Sequence, residues 1–436
     1  MSKVLRSWGG VPRHSQQGHA CDWSANLKTL LAEAKHGERT TLPFGNGRSY
    51  GDSCLAESGH VIHMRPLDHF LSVDWQKGIV KAEAGITLGE IIDLTIPQGW
   101  FLPVTPGTRY VTLGGAIAND VHGKNHHCQG TFGKHLIRMA LYRNGQTLIC
   151  SQDENPELYR ATISGLGLTG IIIWAEIALR PIRTSQIDTH HQRFGSLSEF
   201  FSLSKELDPV NEYSVAWIDC TARGHNLGRG IFSAGNHSEY GALENPPLRK
   251  ISVAATPPIS LVNSLSVRAF NSLYWHRLPP NRSKQRESYS TFFYPLDNLL
   301  HWNRLYGALG FQQHQCVIPE THAESAIREM LKIIATAKQG SFLAVLKRCG
   351  DAVSPGLLSF PMQGISLALD FAQNNSLEAL FKRLDAIVYE AGGRLYPAKD
   401  AHMSAVHFRH AYPAWEKLEK LRDPLMMSAF WKRVTA

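Results

Sequence analysis

A chain of 436 residues with 43% hydrophobic and 19% charged residues has the composition of a folded globular protein, and its length favours two domains. No uncharged apolar run approaches the roughly 18 residues that a membrane-spanning helix needs, and residues 1–8 lack the apolar core of a signal peptide. The seven scattered cysteines include no C-x-x-C pair, so we predict a reduced, cytoplasmic protein.

The net charge of +8 favours anionic partners. The lysines and arginines are spread along the chain, whereas a protein that binds nucleic acid would concentrate them in runs or patches, so nucleic acid is not the expected partner. Phosphate groups of a cofactor and a substrate are the simplest explanation of the excess. The second explanation of the positive charge is a peripheral contact with the inner face of a membrane.

Local patterns in the first 180 residues predict many short strands and few helices. Asn144-Gly145 between two β-rich runs is a strong signal for a hairpin with a type I′ turn. Because strands do not alternate regularly with helices, the pattern predicts an α+β domain instead of a doubly wound sheet. The predicted helices lie within residues 22–34 and 88–96, the predicted strands at 40–44 and 60–64, and the predicted hairpins at 71–84 and 136–150.

The pattern changes after residues 181–184, where we predict a domain boundary. Alternating runs at residues 213–219, 342–347 and 365–370 predict strands. Amphipathic runs predict helices at residues 323–338 and 377–390. Together they indicate an antiparallel sheet with helices on one face, which would cap the first domain.

Residues 244–287 form a passage rich in proline, serine and asparagine. It is either a disordered surface loop or a mobile lid that meets lipid or a prenyl tail, with its cations facing anionic headgroups. Its prolines pair at residues 246–247, 257–258 and 279–280. Its apolar residues include Leu261, Val262, Phe270, Tyr274 and Trp275, and its cations are Arg249, Lys250, Arg268, Arg277, Arg282, Lys284 and Arg286.

Two glycine-rich loops stand out in the first domain. Residues 45–52 read GNGRSYGD, and residues 103–127 read PVTPGTRYVTLGGAIANDVHGKNHH. Gly107, Gly114 and Gly115 permit φ > 0 or a close approach of the backbone, and the neighbouring threonines suit a phosphate. One such loop could be an ordinary turn, but two loops that each follow a β-like run indicate a nucleotide held from both sides.

A third glycine motif, GLGLTG at residues 165–170, matches G-x-G-x-x-G in the wrong context. A dinucleotide fingerprint needs a strand before it and a helix after it. Here residues 156–162 have a helical pattern and residues 171–179 a strand pattern. The sequence therefore predicts no Rossmann site at this position.

The two loops resemble the FAD-binding half of the vanillyl-alcohol-oxidase superfamily of PCMH-type FAD-linked oxidases. Within it the resemblance is strongest to the decaprenylphosphoryl-β-D-ribose oxidase family, the flavoprotein subunits of a 2′-epimerase, and it runs from Arg6 to about Met427. It implies an α+β protein with an FAD-binding domain at residues 1–184, a substrate-binding cap at 185–393 and a return to the FAD domain at 394–436. It assigns these residues to the cofactor: Gly45, Asn46, Gly47, Arg48, Ser49, Tyr50, Gly107, Thr108, Thr112, Gly114, Gly115, Ala118, Asn119, His122, Gly123, Gly167, Gly170, Ile171 and Tyr396.

The first loop bears on how the flavin is attached. Many oxidases of this superfamily carry a histidine there that bonds covalently to the flavin, and Arg48 stands at that position. The resemblance therefore implies non-covalent FAD, with Arg48, Ser49 and nearby amides on the pyrophosphate. The cofactor would accept the hydride, and the protein would supply positioning and electrostatics.

We expect Lys399 to be the catalytic base, with His122 and Tyr50 in the catalytic set. Oxidation of a secondary alcohol requires a base for the hydroxyl proton, and a lysine whose pKa is lowered by burial and by nearby cations can accept it. The alternative is a lysine that binds phosphate or lies at the surface. By resemblance, the sugar or its phosphate would contact Lys124, Gln313, Gln315, Lys347 and Trp217, of which Trp217, like Tyr396, could equally be a core residue.

His122, His126 and His127 raise the question of a metal site. No carboxylate stands at a helpful helical offset, Gly123-Lys124 interrupts the set, and a lysine cation disfavours a divalent ion. We predict no metal here and structural roles for His126 and His127.

Three positions depart from the family's pattern. Ser366 and Ala368 stand where that pattern has an asparagine and a cysteine on a pocket-lining strand, and His314 replaces a tyrosine between the two glutamines. These changes would alter the substrate wall and leave flavin binding intact.

The leading hypothesis is an FAD-dependent oxidoreductase that removes hydride from C2′ of a polyprenyl-phosphoryl pentose, a cell-wall polysaccharide precursor. Epimerisation would need a separate NAD(P)H-dependent reductase, because this chain has no nicotinamide motif. The alternatives are an aldonolactone or alditol oxidase that uses oxygen on a soluble sugar, and a flavin-binding partner without catalysis.

Overall fold

A computed structural model describes residues 3–37, 39–245, 250–279 and 281–436. The N-terminal half contains strands β1 (Lys3–Leu5), β2 (Gln16–Ala20), β3 (Pro43–Phe44), β4 (His60–His63), β5 (Phe70–Asp74), β6 (Ile79–Glu83), β7 (Trp100–Phe101), β8 (Leu136–Arg143), β9 (Gln146–Ser151), β10 (Ile171–Ala178) and β11 (Arg180–Pro181). Its helices are α1 (Leu27–His36), α2 (Leu88–Thr95), α3 (Leu113–Ala118), α4 (His126–Gln129) and α5 (Pro156–Thr162).

These strands form two main sheets. The first has the order β1-β2-β4-β3 and mixes parallel and antiparallel pairs, and the second is antiparallel with the order β5-β6-β10-β8-β9. The predicted hairpin at residues 136–150 is confirmed: Asn144 and Gly145 have φ of 50° and 77°, as a type I′ turn requires. The hairpin at residues 71–84 is confirmed as β5 and β6, and α2 begins with a capping box between Thr87 and Glu90.

The second half is organised around one large antiparallel sheet. Its strands, with a short separate pair, are β12 (Gln186–Phe194), β13 (Tyr213–Ile218), β14 (Gly230–His237), β15 (Ile251–Ser252), β16 (Ser283–Ser288), β17 (Leu299–Leu300), β18 (Phe311–Pro319), β19 (Ala344–Cys349), β20 (Gly364–Ala372) and β21 (Arg394–Leu395). The helices are α6 (Leu197–Leu207), α7 (Ser264–His276), α8 (Tyr289–Phe293), α9 (Glu320–Thr336), α10 (Leu377–Glu390), α11 (Ala405–Ala411), α12 (Trp415–Leu421) and α13 (Ala429–Thr435). The sheet order is β16-β12-β14-β13-β19-β20-β18-β21, and β15 pairs with β17.

The large sheet has one face covered by helices, as the sequence predicts. Helices α6, α9 and α10 pack on that face through a continuous apolar core that includes Phe200, Ile327, Leu367 and Leu384. The α+β fold class is confirmed. After β21 the chain returns to the N-terminal half, where the amide of Tyr50 donates to the carbonyl of Ala398 at 2.9 Å.

The division at residues 184 and 393 remains our proposal for the domain boundaries. Strands β12 to β20 of the large sheet fall between those positions, and β21 adds an edge strand from just beyond the second one. Among the described residues, no helix is both long and apolar enough to cross a bilayer.

The disordered-loop interpretation of residues 244–287 is wrong for most of that passage. Residues 250–279 contain β15 and the regular helix α7, and β16 pairs along its length with β12 at the edge of the large sheet. Helix α7 forms because Asn263 caps it, accepting hydrogen bonds from the amides of Leu265 and Ser266. Pro246, Pro247, Arg249 and Pro280 lie outside the described residues.

Candidate active site

The first glycine loop follows β3 and lies against the second. A side chain at Gly45 would place its Cβ 2.3 Å from Oγ1 of Thr112, and Gly47 has a φ of 60°. The side-chain amide of Asn46 donates to the carbonyl of Tyr110 at 2.9 Å. The two loops therefore form one surface, held together by a hydrogen bond and by the absence of a side chain at Gly45.

Two glycines of the second loop, Gly114 and Gly115, allow a close approach of the backbone, whereas a Cβ on Gly107 would meet no atom within 4 Å. Gly107, Gly114 and Gly115 do not adopt the φ > 0 that the sequence allows; Gly114 and Gly115 lie in α3, which Thr112 caps by accepting a hydrogen bond from Gly115 at 3.2 Å. A Cβ on Gly114 would lie 3.0 Å from Cβ of Ala84. The backbone of α3 thus packs closely on the end of β6.

Both loops line a cavity of about 1050 Å³ that extends to the large sheet. This is just above the roughly 300–1,000 Å³ that small-molecule sites occupy. The other predicted site residues also line this cavity, with Ile171 as the exception. Side chains alternate along a strand, so Ile171 packs on the far side of β10 with Ala140 and Tyr142, while Ile172 lines the cavity.

Arg48 lies in the wall of the cavity between two aromatic rings. Its guanidinium carbon is 4.5 Å from the centre of the Trp8 ring and 5.6 Å from that of Tyr110, and Nη1 donates to the carbonyl of Asn46. Burial lowers the pKa of Arg48 although Asp297 opposes the shift. The cation is therefore held in place by ring stacking and retains donors for an anion.

His122 is a neutral imidazole in the centre of the site. Burial, with the cations of Lys347 and Lys399 as further causes, lowers the pKa of His122 well below its ordinary value. Its ring lies 5.5 Å from that of Tyr396, whose hydroxyl donates to the carbonyl of Asn119, and 3.5 Å separate its Nε2 from the amide nitrogen of Gln315. Nδ1 of His122 is buried without a hydrogen-bond partner among the described residues.

Lys399 is half-buried and lies against Tyr50, near a carboxylate that the sequence pattern did not single out. Its Nζ lies 3.6 Å from the centre of the Tyr50 ring. Burial lowers the pKa of Lys399, and Asp370 opposes that shift by attraction. Burial also raises the pKa of Asp370, against the effect of a hydrogen bond from Gln313 at 2.5 Å and of Lys399.

Asp370 was within reach of the sequence signal. Residues 366, 368 and 370 alternate on β20 and so share a face of the sheet. Ser366 and Ala368 line the cavity, and Asp370 extends the same face behind Gln313. Applying the period of two beyond the first two positions would have identified it.

Two further lysines are anchored at the cavity by backbone carbonyls. Lys347 on β19 donates to the carbonyl of Gly123 at 2.7 Å, and Lys124 donates to that of Phe292. Burial lowers the pKa of Lys124 to about 8 and also lowers that of Lys347. Trp217 on β13 donates from Nε1 to the carbonyl of Phe342 and packs 4.6 Å from the ring of Tyr274 on α7.

His126 and His127 contact neighbouring backbone. Nδ1 of His126 accepts a hydrogen bond from the amide of Gly350, and Nε2 of His127 lies 3.0 Å from the carbonyl oxygen of Asn211. Burial lowers the pKa of His126 to about 3, so it is uncharged.

A different group of side chains has the spacing of metal ligands: His314, Asp385 and His402. Both histidines direct Nε2 at the same oxygen of Asp385, at 3.0 and 3.3 Å. Burial alone would raise the pKa of Asp385, but the hydrogen bonds from the two histidines lower it below its ordinary value. We interpret the group as a buried ion-pair network between the large sheet, α10 and the C-terminal segment.

The amino-acid sequence has clear relatives. Residues 20–151 match the FAD binding domain family. The chain is 33% identical to decaprenylphosphoryl-β-D-ribose oxidase of Mycolicibacterium smegmatis over 97% of its own length and 95% of that protein. The chain belongs to the decaprenylphosphoryl-β-D-ribose oxidase family of FAD-linked oxidases.

Other relatives cover less of the chain. An uncharacterized protein from the mprA 5′ region of Streptomyces coelicolor is 32% identical over 77% of this chain and 95% of its own length. A putative D-arabinono-1,4-lactone oxidase of Neurospora crassa is 28% identical over 39% of this chain and 30% of its own length. The protein is thus an FAD-dependent oxidoreductase acting on CH–OH groups, in the vanillyl-alcohol-oxidase superfamily.

The cavity of this family member fits an FAD. Backbone without side chains faces it at Gly45, Gly47 and Gly167, and at Gly45 a Cβ would collide with Thr112. Two polar atoms of its wall, Nδ1 of His122 and the hydroxyl of Tyr110, are buried with no partner among the described residues. A polar cofactor would supply the missing hydrogen bonds.

Proposed function

We propose that this protein oxidises the C2′ alcohol of a polyprenyl-phosphoryl pentose, as the oxidase half of a 2′-epimerase. The observation that carries the proposal is that Lys399, Tyr50, Gln313 and Gln315 line the same cavity as the two glycine loops. The similarity to a decaprenylphosphoryl-β-D-ribose oxidase over nearly the whole chain supports the substrate class.

The roles of the protein's own groups follow from their surroundings. The chemistry that FAD would supply when bound is an acceptor for the hydride that leaves the alcohol carbon. Lys399 in its neutral form accepts the hydroxyl proton at Nζ, and burial favours that neutral form. The ring of Tyr50 fixes the position of Nζ, and the carboxylate of Asp370 stabilises the ammonium group after it has accepted the proton.

The substrate's phosphate has two cations within the cavity. Lys124 and Lys347 each use one donor on a backbone carbonyl, and a lysine ammonium has three, so both retain donors for phosphate oxygens. Gln315 and His122 are placed for sugar hydroxyls. Trp217 and Tyr274 offer an aromatic wall to the first prenyl units.

We propose that the FAD is bound without a covalent link, because Arg48 replaces the histidine of the first loop. The remaining glycine-loop residues, with Tyr396 packed on Phe360, would hold the cofactor by backbone contacts. Denaturing the purified protein and passing it through a filter tests this: flavin in the filtrate supports the proposal, and flavin retained with the polypeptide contradicts it.

Epimerisation requires a second protein. Hydride must return to the opposite face of C2′, and the only G-x-G-x-x-G motif found in the sequence lies between α5 and β10, the reverse of the order that a nicotinamide site needs. A separate NAD(P)H-dependent reductase is therefore the proposed partner. We also propose that the two act at a membrane surface, where a polyprenyl substrate resides.

A soluble-sugar oxidase is the second candidate, favoured by the partial similarity to a lactone oxidase and by Ser366 and Ala368 in the cavity wall. Anaerobic bleaching of the flavin separates the two. One sample receives a short-chain polyprenyl-phosphoryl ribose, and the other receives xylitol or an aldonolactone. Bleaching by the first alone supports the epimerase proposal; bleaching by the second alone replaces it with the soluble-sugar oxidase; and bleaching by neither favours a flavin-binding partner without catalysis.

A further inference from the structure

The outer side of α7 and the loop before it expose several large apolar side chains. Ile259 is 75% exposed, Leu265 77% and Leu273 74%. Leu265 and Leu273 are eight residues apart and so lie on the same side of the helix, while Val267 and Asn271 on the inner side are fully buried. Each of the three side chains leaves most of its surface in water, so this face has no partner in the described part of the chain.

The same part of the chain is strongly cationic. Residues 250–309 contain seven lysines and arginines and two acidic residues, a balance of +5 (7 − 2). Both acidic side chains have partners within the protein. Glu287 pairs with His191, and Asp297 is 5% exposed and accepts a hydrogen bond from the amide of Arg109. Arg282 and Arg286 form ion pairs with Glu206 and Asp188, which lie outside this range. Lys250, Arg268 and Arg277 are exposed without a carboxylate partner in the described part of the chain, so the free charge around the apolar side chains is positive.

This surface borders the open side of the cavity. Apart from Gly107, the exposed residues that line the cavity all come from residues 250–301: Lys250, Arg277, Gln285, Thr291, Pro295 and His301. Helix α7 has one side in the cavity, through Tyr274, and its opposite side in solvent. A chain that extends out of the cavity would pass along this helix.

We propose that this surface docks the protein on an anionic lipid bilayer. Ile259, Leu261, Leu265 and Leu273 enter the boundary between headgroups and acyl chains, and the nearby cations face lipid phosphates. The positive charge favours an anionic bilayer over a second copy of the chain, because two such surfaces would repel each other. The inference rests on the proposed function, since a lipid-linked substrate explains why the docking surface borders the cavity.

Vesicle flotation of the FAD-loaded full chain tests the docking. We expect the protein to float with vesicles that contain phosphatidylglycerol, to float less at high salt, and to remain behind with phosphatidylcholine alone. The double variant Leu265→Gln/Leu273→Gln removes two apolar anchors, so we expect its partition coefficient onto the anionic vesicles to fall by roughly tenfold or more. The matched variant Val353→Gln/Val406→Gln changes two other apolar side chains that are also mostly exposed, on other segments, and should partition like the wild type.

Three results would overturn the proposal: no flotation on anionic vesicles, equal flotation of the wild type and the Leu265→Gln/Leu273→Gln variant, or a wild-type dimer that this variant dissociates. Flavin bleaching by the short-chain substrate in detergent, without vesicles, tests the enzymatic function separately. A protein that is bleached but does not float keeps the function and loses the docking surface. A protein that floats but is not bleached keeps the docking surface and loses the function.

Discussion

Among single residues, Lys399 carries the proposed chemistry. Replacing it with alanine removes the base, so we expect flavin reduction by substrate to slow by about 10²–10⁴-fold, while the FAD content of the purified protein stays unchanged. Lys399→Arg is the informative control, because arginine keeps the positive charge and cannot give up its proton in a protein. Stopped-flow reduction should find both variants slow; a fast Lys399→Arg variant would show that only the charge matters.

The carboxylate of Asp370 sets the pH at which Lys399 becomes a base. Attraction to this carboxylate raises the pKa of Lys399 against the lowering effect of burial. Removing the charge in Asp370→Asn should therefore lower the pKa of Lys399 further. The rate of flavin reduction rises with pH as the lysine loses its proton, and we expect this rise to move to lower pH in the variant. A rise at the same or a higher pH would contradict the role of Asp370.

Single residues also show what local sequence can predict. The glycine-loop positions were found because their motif is contiguous in the chain and its spacing is specific. Ile171 stays a prediction as a cofactor neighbour: its side chain does not line the cavity, whereas the flanking Gly170 and Ile172 do, and the motif does not say which way the side chains of the next strand alternate. The period of two on β20 predicts that Asp370 shares the cavity face with Ser366 and Ala368. Its closeness to Lys399 depends on packing β20 against a segment almost thirty residues later, and no local signal reports that contact.

Among the elements, the contact between the first glycine loop and the C-terminal segment determines where Lys399 lies. A Cβ on Gly51 would lie 1.7 Å from the carbonyl oxygen of Asp400, the residue after Lys399. We expect Gly51→Ala to destabilise the protein by about 1–3 kcal/mol or more through overpacking and to slow turnover by displacing Lys399 from Tyr50. Thermal unfolding and steady-state rates measure the two effects.

Gly107→Ala is the matched control for that substitution. A Cβ at Gly107 meets no atom within 4 Å, and its backbone is outside the left-handed region. We expect its unfolding temperature to stay close to that of the wild type. If both variants lost the same amount of unfolding temperature, the backbone contact at Gly51 would not be the cause of the loss.

The elements differ in how far the sequence predicts them. The hairpin at Asn144-Gly145 and helix α10 follow from turn chemistry and periodicity within a few residues. Helix α3 did not, because its glycines and small residues have low helix propensity and it forms through the Thr112 cap and packing on Ala84. Strand β16 was hidden in a proline-rich passage, and only pairing with β12, almost a hundred residues earlier, makes it a strand.

In the whole molecule, a buried network of charges connects α10 with the C-terminal segment. His402 lies 3.3 Å from carboxylate oxygens of both Asp385 and Asp400. Burial, and to a smaller extent Arg433, disfavours the imidazolium of His402, but the two carboxylates outweigh them and raise its pKa. The pKa of Asp385 is lowered within the same network.

These opposite shifts predict a bounded pH range of stability. Asp385 makes its full contribution to the stability of the folded state above its unfolded pKa of about 3.9. That contribution is lost as pH falls through its lower pKa in the folded state. His402 makes its full contribution to the stability of the folded state below its unfolded pKa of about 6.5. That contribution is lost as pH rises through its higher pKa in the folded state. We therefore expect the unfolding temperature to decline above about pH 6.5, and His402→Gln to be less stable but to lack this part of the decline. If the unfolding temperature of the variant declined with pH as steeply as that of the wild type, His402 would not have the stabilising role proposed for it.

The rate of anaerobic flavin bleaching tests most directly whether hydride leaves C2′ of a polyprenyl-phosphoryl pentose. The wild-type protein is mixed with short-chain polyprenyl-phosphoryl ribose that carries either hydrogen or deuterium at C2′, and absorbance is followed through a single reduction. If the bond between C2′ and its hydrogen breaks in this step, we expect bleaching by the deuterated substrate to be several-fold slower. Equal rates with the two substrates, or no bleaching by either, would contradict the account.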